Sequence, residues 1–303
     1  MATADRAPDD PRSAWGLPPL GALAARETVD ELTTRFLAPN PSPMTLDGTN
    51  TYVVSAAGSG MAIIVDPGPD EPAHWGAVAD ELAAQDATVV AVFVTHHHVD
   101  HAAGAVAWSQ RFGCPIVAAD EAVTTSVGRR VGDGARLDLP GTSGCQVVAT
   151  PGHTRDHLAL RLPTGALLTG DHILGRGTTV VTHPDGDMAA YVTSLRRVRR
   201  LGPDALLPGH GPVLTQDPDA VIAFYEAHRS YREAQILQAL ADWPATVEQL
   251  VAVIYPDVDE RLTAPAAAST RATLAVLEAR GCVRRRNAAA PDGPYELAGR
   301  RTG

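Results

Sequence analysis

Four short apolar runs along this chain each end in a turn that carries metal-binding side chains. Residues 88–95 (TVVAVFVT) lead into His96-His97-His98-Val99-Asp100-His101, QVVAT leads through Pro151-Gly152 to His153, ALLTG leads to Asp171, and ALLPG leads to His210. Continuous aliphatic and β-branched runs read as buried strands. In α/β architectures, sites gather where the C-terminal ends of strands give way to turns. Gly152, Gly170 and Gly209 allow turns that branched residues would resist. Imidazole and carboxylate suit borderline divalent metals, with zinc first and manganese or iron as alternatives. Four potential ligands within six residues can serve two ions, His96 and His98 at one centre, Asp100 and His101 at a second.

The rest of the chain supplies strands and helices around these turns. Residues 51–55 (TYVVS) and 61–65 (MAIIV) read as a hairpin, residues 75–85 and 102–112 as helices, and 115–118 as a short strand. Later strands are expected at 146–149, 157–162, 166–169 and 205–207, with a helix at 188–201. After Asp217 the pattern changes to a long helix over 218–241, a helix at 246–254 with Thr246 as N-cap, and a helix over 266–280 stopped by Gly281. Two strands at 282–286 and 295–297 around Pro-Asp-Gly complete the order expected of a winged-helix module. The expected division is a disordered lead-in over 1–14, a catalytic domain over 15–217, and a connector helix plus winged-helix-like domain over 218–303.

With 25 Lys+Arg against 35 Asp+Glu, the formal charge of -10 opposes non-specific nucleic-acid binding by the whole surface. Cys114, Cys145 and Cys282 form no Cys-x-x-Cys pair, so neither a disulfide framework nor a thiolate zinc site is indicated. The acidic, Pro-rich start does not read as a signal peptide and no long apolar run reads as a membrane span, so a cytoplasmic location is the default expectation.

THHHVDH, PGHTRDH, TGD and PGHG, in that order, resemble the signature set of the metallo-β-lactamase superfamily over residues 45–215. The resemblance implies a four-layer αβ/βα sandwich of α/β (α+β) class, with helices outside two mixed sheets and metals at one edge. It also implies that His96, His98 and His153 hold the first ion, that Asp100, His101 and His210 hold the second, and that Asp171 bridges them. A hydroxide shared by two such ions would then attack a carbonyl or phosphorus, with Asp100 orienting the nucleophile and taking its proton. His97 and His172 are expected not to be ligands. His157 is expected either to support the site or simply to pack, and Asp66 either to orient a ligand or to cap the Asp-Pro-Gly turn.

NPSPMTLDGTNTYVV, GDHILGRGTTVV and HRSYREAQIL, with the helical tail, extend the resemblance to the beta-lactamase-like protein 2 group over most of 38–285. That group implies a single-stranded RNA endonuclease as first reading and a thioester hydrolase, glyoxalase II-like or acting on carrier-bound acyl groups, as second. β-Lactam hydrolysis ranks last, because true β-lactamases of the family usually lack the bridging carboxylate. Arg129–Arg130, Arg196–Arg200 and Arg284–Arg286 are either phosphate contacts or a solvated face balancing an acidic protein. Thr178 and Thr179 either bind a substrate oxygen or serve turn chemistry, and the tail is expected to act as a lid or packing element, with a homodimer surface among its roles.

Overall fold

In the strands, alternate residues face different partners, and this alternation builds the layers of the computed structural model, which describes residues 6–124, 128–287 and 292–299. The first sheet runs β1 (Arg26–Thr28), β2 (Thr33–Leu37), β3 (Asn50–Ser55), β4 (Met61–Val65), β5 (Thr88–Phe93), β6 (Ile116–Ala118) and β7 (Arg129–Arg130) in spatial order. It is antiparallel through β4 and parallel beyond, with the short α4 (Glu121–Thr124) between β6 and β7. The second sheet holds β8 (Arg136–Leu137), β9 (Cys145–Ala149), β10 (Leu158–Arg161), β11 (Leu167–Gly170) and β12 (Leu206–Pro208), with β11 and β12 parallel.

Tyr52, Val54, Ile63, Val65 and Phe93 from the first sheet meet Val147, Leu158, Leu160, Leu168 and Leu207 from the second in one buried core. The intervening residues point outward. Val53, Ile64 and Val92 pack under α1 (Pro72–Ala84) and α3 (Ala105–Phe112), which contribute Val78, Leu82 and Trp108. Val148, Ala159, Leu167 and Leu206 pack under α5 (Met188–Leu201) and α6 (Pro218–Asp242), which contribute Tyr191, Leu195, Val221 and Tyr225. The result is the expected αβ/βα sandwich, with period-2 burial in the sheets and helices on both outer faces.

The tail is the expected winged-helix arrangement. Thr246 caps α7 (Val247–Ile254) through a capping box with Gln249. α8 (Thr263–Ala279) and the hairpin of β13 (Val283–Arg285) and β14 (Tyr295–Leu297) follow. The Pro-Asp-Gly turn falls partly outside the described residues. α8 does not present a free recognition face. Ala272 joins the core of the second sheet, Ser269 Oγ accepts from the Val181 amide at 3.2 Å, and Arg271 and the C-cap Arg280 pair with Glu248 and Glu233.

Three expectations need correction. The helix at 102–112 is two pieces, α2 (Val99–Ala102) and α3, because the Gly104 amide turns to donate to the Gly68 carbonyl that crosses there. Asp100 and His101 therefore lie on a helical turn rather than in a loop. Helix α1 begins at Pro72, not residue 75, since proline is tolerated at a first helical position. Residues 11–14, expected within a disordered lead-in, are structured, while residues 1–5 of that expected segment lie outside the described residues. Pro11–Ala14 form a 3-10 turn, and Arg12, 4% exposed, donates to the Leu174 and Gly177 carbonyls.

Under α1, His74 Nε2 donates to Thr51 Oγ1 at 2.9 Å, and burial lowers its pKa to about 4. The unfolded chain binds this proton with a pKa near 6.5, so the stability it confers is complete above that value and is lost as pH falls towards 4. Between pH 7 and pH 5 this amounts to about 2 kcal/mol. The His74→Gln protein is expected to lose that share of the acid sensitivity in urea titrations at the two pH values.

Candidate metal centre

Each of the four apolar runs delivers its polar residues to one edge of the sandwich. β5 ends before His96, β9 before His153, β11 at Gly170 beside Asp171, and β12 before Gly209 and His210. Two of the glycines are required by close approach. A Cβ on Gly152, at φ 139°, would collide with the Tyr191 backbone, and one on Gly209 would lie 2.6 Å from His101 Cε1 and 2.8 Å from Asp171 Oδ1.

The seven expected ligands come together as two adjoining groups. His96, His98, His153 and Asp171 form one, and Asp100, His101 and His210 form the other. In the first, His96 Nε2 is 3.0 Å from His98 Nδ1, which is 3.1 Å from His153 Nε2, and His153 Nε2 is 3.5 Å from Asp171 Oδ2. In the second, His101 Nε2 is 3.2 Å from His210 Nε2, and His210 Nε2 is 3.1 Å from Asp100 Oδ2. Asp171 Oδ1 lies 3.4 Å from both His101 Nε2 and His210 Nε2, so its two oxygens address the two groups.

The outer nitrogens of the rings fix which atoms face inward. His153 Nδ1 donates to the Val180 carbonyl at 2.7 Å and His210 Nδ1 to the Gly48 carbonyl at 3.1 Å. His101 Nδ1 donates to Asp66 Oδ2 at 2.8 Å. Thr95 Oγ1 also donates to Asp66 Oδ2 and so accepts from His96 Nδ1 at 3.0 Å. In the neutral imidazole, with the outer proton placed, each inner Nε2 of these rings carries a lone pair. Lone pairs aimed at one another about 3 Å apart repel unless a cation lies between them. Two nitrogens bound at about 2.0–2.1 Å to a tetrahedral zinc ion would be separated by about 3.3–3.4 Å. Asp171 Oδ1 is buried with no hydrogen-bond partner, an expensive arrangement that a cation would relieve. The donor set therefore fits two divalent ions.

Taken as protein groups alone, the two halves differ in charge. Burial lowers His96, His98 (to about 4) and His153, keeping them neutral and ready to coordinate. Burial also acts against protonation of His101 and His210, but Asp171 and its neighbours Asp66 and Asp100 outweigh it, raising His101 well above its usual range and His210 to about 9. Burial raises Asp171, and His210 and His101 more than reverse this, holding its carboxyl well below the usual carboxylate range. A cation entering beside His101 and His210 thus displaces protons, and one entering beside His96 does not.

His157 holds the Asp171 backbone, its Nε2 accepting from the Asp171 amide at 3.1 Å while Nδ1 donates to Thr150 Oγ1. His172 is buried beside Tyr191, its ring nitrogens without a hydrogen-bond partner. His97 turns outward to Asp156 at 2.8 Å and Asp185 at 3.4 Å. Thr179 Oγ1 donates to the Asp171 carbonyl and Thr178 lines the adjoining cavity.

Sequence reasoning missed the chain of contacts behind His210. Glu27 pairs with the fully buried Arg35, which donates to Asn50 Oδ1, and Asn50 Nδ2 donates to the Pro208 and Gly211 carbonyls on either side of His210. It also missed the arginines of the cavity beside the centre, Arg176, Arg229 and Arg232. Most arginines it did single out are neutralised. Arg197 pairs with Asp133, Arg199 with Asp219, Arg130 with Glu121, and Arg284 and Arg286 share Glu296.

Comparison with known proteins agrees with this geometry. The family model described as Metallo-beta-lactamase superfamily matches residues 44–210, and that described as Beta-lactamase associated winged helix domain matches 246–290. A Beta-lactamase-like protein 2 homolog of Drosophila melanogaster is 33% identical over 275 residues, covering 82% of this chain and 89% of its own. An Atrochrysone carboxyl ACP thioesterase of Aspergillus chevalieri is 32% identical over 254 residues, covering 80% and 79%. The crystal structure of a Beta-lactamase domain protein from Burkholderia ambifaria shares the fold, with a TM-score of 0.77 at 24% identity, over 96% of this chain and 97% of that one.

Proposed function

Since the chain belongs to the metallo-beta-lactamase superfamily, a hydrolase family, we propose that it is a dinuclear metal-dependent thioester hydrolase. The observation that carries this reading is a cavity of about 260 Å³ beneath the tail. It begins at His153 and Asp171, has an apolar wall that includes Met44, Leu46 and Leu174, and is bordered by Val258, Leu262 and Pro265 of the tail. Such a space suits an acyl chain, and the resemblance to a carrier-protein thioesterase supports that substrate class. The neutralised surface arginines leave little basic track for RNA, which reverses the order expected from sequence.

His96, His98 and His153 would hold one ion, Asp100, His101 and His210 the other, with Asp171 shared. When bound, two such ions polarise the substrate's carbonyl oxygen and acidify a water towards pKa 7, or about that value. Zinc fits this nitrogen and oxygen donor set, as do manganese and iron. Asp100 is a quarter exposed. Burial raises its carboxyl, but His210 and His101 pull it below the usual range, so it is ionised at neutral pH. It orients the attacking water and accepts its proton. The new C–O bond replaces the C–S bond, and a thiolate, whose conjugate thiol has a pKa of about 8.5, departs without prior protonation.

The tail's role in this reading is to wall the cavity, with the domain boundary at 217/218. No helix among the described residues is long and apolar enough to cross a membrane. Unpaired cysteines, Cys282 exposed among them, fit a reducing cytoplasmic setting. A single-stranded RNA endonuclease is the second reading, favoured by the cavity's arginines. Metal-loaded protein is expected to hydrolyse S-acyl-glutathione or acyl-N-acetylcysteamine thioesters and to leave labelled single-stranded RNA intact. Metal-dependent RNA cutting with no thioester turnover would reverse the order of the two readings.

A further inference from the structure

Beyond the metal-binding edge, the same cavity contains an unusual set of cations. Arg176, Arg229 and Arg232 all line it, and among the described residues its only acidic lining residue is Asp171, already engaged with the histidines. Arg229 is 8% exposed. One of its terminal nitrogens donates to the Thr179 carbonyl, its guanidinium stacks on Tyr191, and its Nε is buried without a partner. Nε and Nη2 of Arg176 are likewise buried without a partner. Arg232 stacks on Tyr255 and donates to His228 Nε2, to Gln235 and to the Ile254 carbonyl, all neutral acceptors. Because His228 Nε2 accepts, its Nδ1 carries the proton, and that atom too is buried and unpartnered.

Buried guanidinium N–H groups without acceptors, carried by Arg176 and Arg229, are costly, and in an acidic protein three neighbouring arginines with no carboxylate among them call for an anion from outside. We propose that Arg176, Arg229 and Arg232, with His228 Nδ1, form a subsite for an oxyanion group of the substrate, a phosphate or a carboxylate. The subsite shares the cavity with His153 and Asp171, and Arg229 is linked to Asp171 through Thr179, whose carbonyl accepts from Arg229 and whose hydroxyl donates to the Asp171 carbonyl. The chain itself organises it. Arg12 grips the Leu174 and Gly177 carbonyls on either side of Arg176, and Tyr255, at the end of α7, supplies the face on which Arg232 lies. A tail that lines the cavity thus also helps position its charge. Burial, with Arg229, Arg232 and Arg12 nearby, lowers His228 to about 3, as expected where positive potential accumulates. This inference rests on the hydrolase reading only for what the anion is attached to.

Two measurements test it separately from that reading. Isothermal titration of metal-loaded protein with inorganic phosphate and with succinate is expected to show saturable binding below about 10 mM for at least one of them. The anion that binds more tightly identifies the source. Arg176→Gln and Arg232→Gln are each expected to weaken it about 10- to 100-fold, with Arg176→Lys recovering most of the loss. In turnover, the kcat/KM ratio of an anionic thioester (acetyl-phosphopantetheine or succinyl-N-acetylcysteamine) to neutral acetyl-N-acetylcysteamine is expected to fall by a similar factor in both glutamine variants. Absence of binding in the parent, or affinities within twofold of the parent in both glutamine variants, as for an anion held only at the metals, would overturn the subsite. A lack of thioester turnover with arginine-dependent phosphate binding would instead overturn the thioesterase reading and leave the subsite standing.

Discussion

Asp171→Ala is expected to leave at most one metal per chain and to lower kcat at least about a thousandfold. Asp171 is the one side chain whose oxygens face both histidine groups, Oδ2 towards His153 and Oδ1 towards His101 and His210. Removing it takes a negative charge from between five histidines and leaves a second ion with only Asp100 as carboxylate ligand. The local backbone should persist, because the Asp171 amide still donates to His157 and its carbonyl still accepts from Thr179. Metal analysis, steady-state kinetics and circular dichroism on the same preparation check the result. Two metals and near-parental turnover would remove Asp171 from the bridging role.

The second large effect is expected away from the ligands. Asp66 sits at φ 51°, a left-handed conformation that aspartate tolerates better than most residues, just past β4. Its Oδ1 accepts from the Thr95 amide, and its Oδ2 accepts from Thr95 Oγ1 and His101 Nδ1, each at 2.8 Å. One carboxylate therefore orients His101 directly and His96 through Thr95. Asp66→Ala strands these buried donors and is expected to cost about 3–5 kcal/mol of stability. It is also expected to lower metal affinity beside His101 about 10- to 100-fold. Urea unfolding and competition with a chromogenic chelator measure the two effects. Parental values in both would show that Asp66 only caps its turn.

How far the molecule was legible depended on whether a feature was local. The hairpin of β3 and β4 and the buried strands β5 and β9 to β12 announce themselves by aliphatic runs, and their ends locate the site because strand ends meet turns. β2 (TTRFL) lacks that signal, since its central Arg35 is buried by pairing with Glu27 and Asn50 rather than by being apolar. The break between α2 and α3 depends on the Gly68 carbonyl, contributed from more than thirty residues earlier, or roughly that span, which no helical periodicity records. Arg12 looked like part of a polar tail and becomes buried because distant carbonyls and the Phe224 ring receive it. The arginine runs drew attention by density, yet Asp133, Asp219 and Glu296 neutralise much of their charge from elsewhere in the chain. The solitary Arg176, Arg229 and Arg232 carry no such density, and only packing reveals that no carboxylate among the described residues pairs with them.

The central claim is a pair of ions shared through Asp171, and anomalous diffraction from crystals of the zinc-loaded protein tests it most directly. The account predicts two peaks about 3.5–4 Å apart, one beside His96, His98 and His153, the other beside Asp100, His101 and His210, with Asp171 contacting both. A single peak beside His96, or zinc bound elsewhere with this cluster empty at saturating metal, would contradict it.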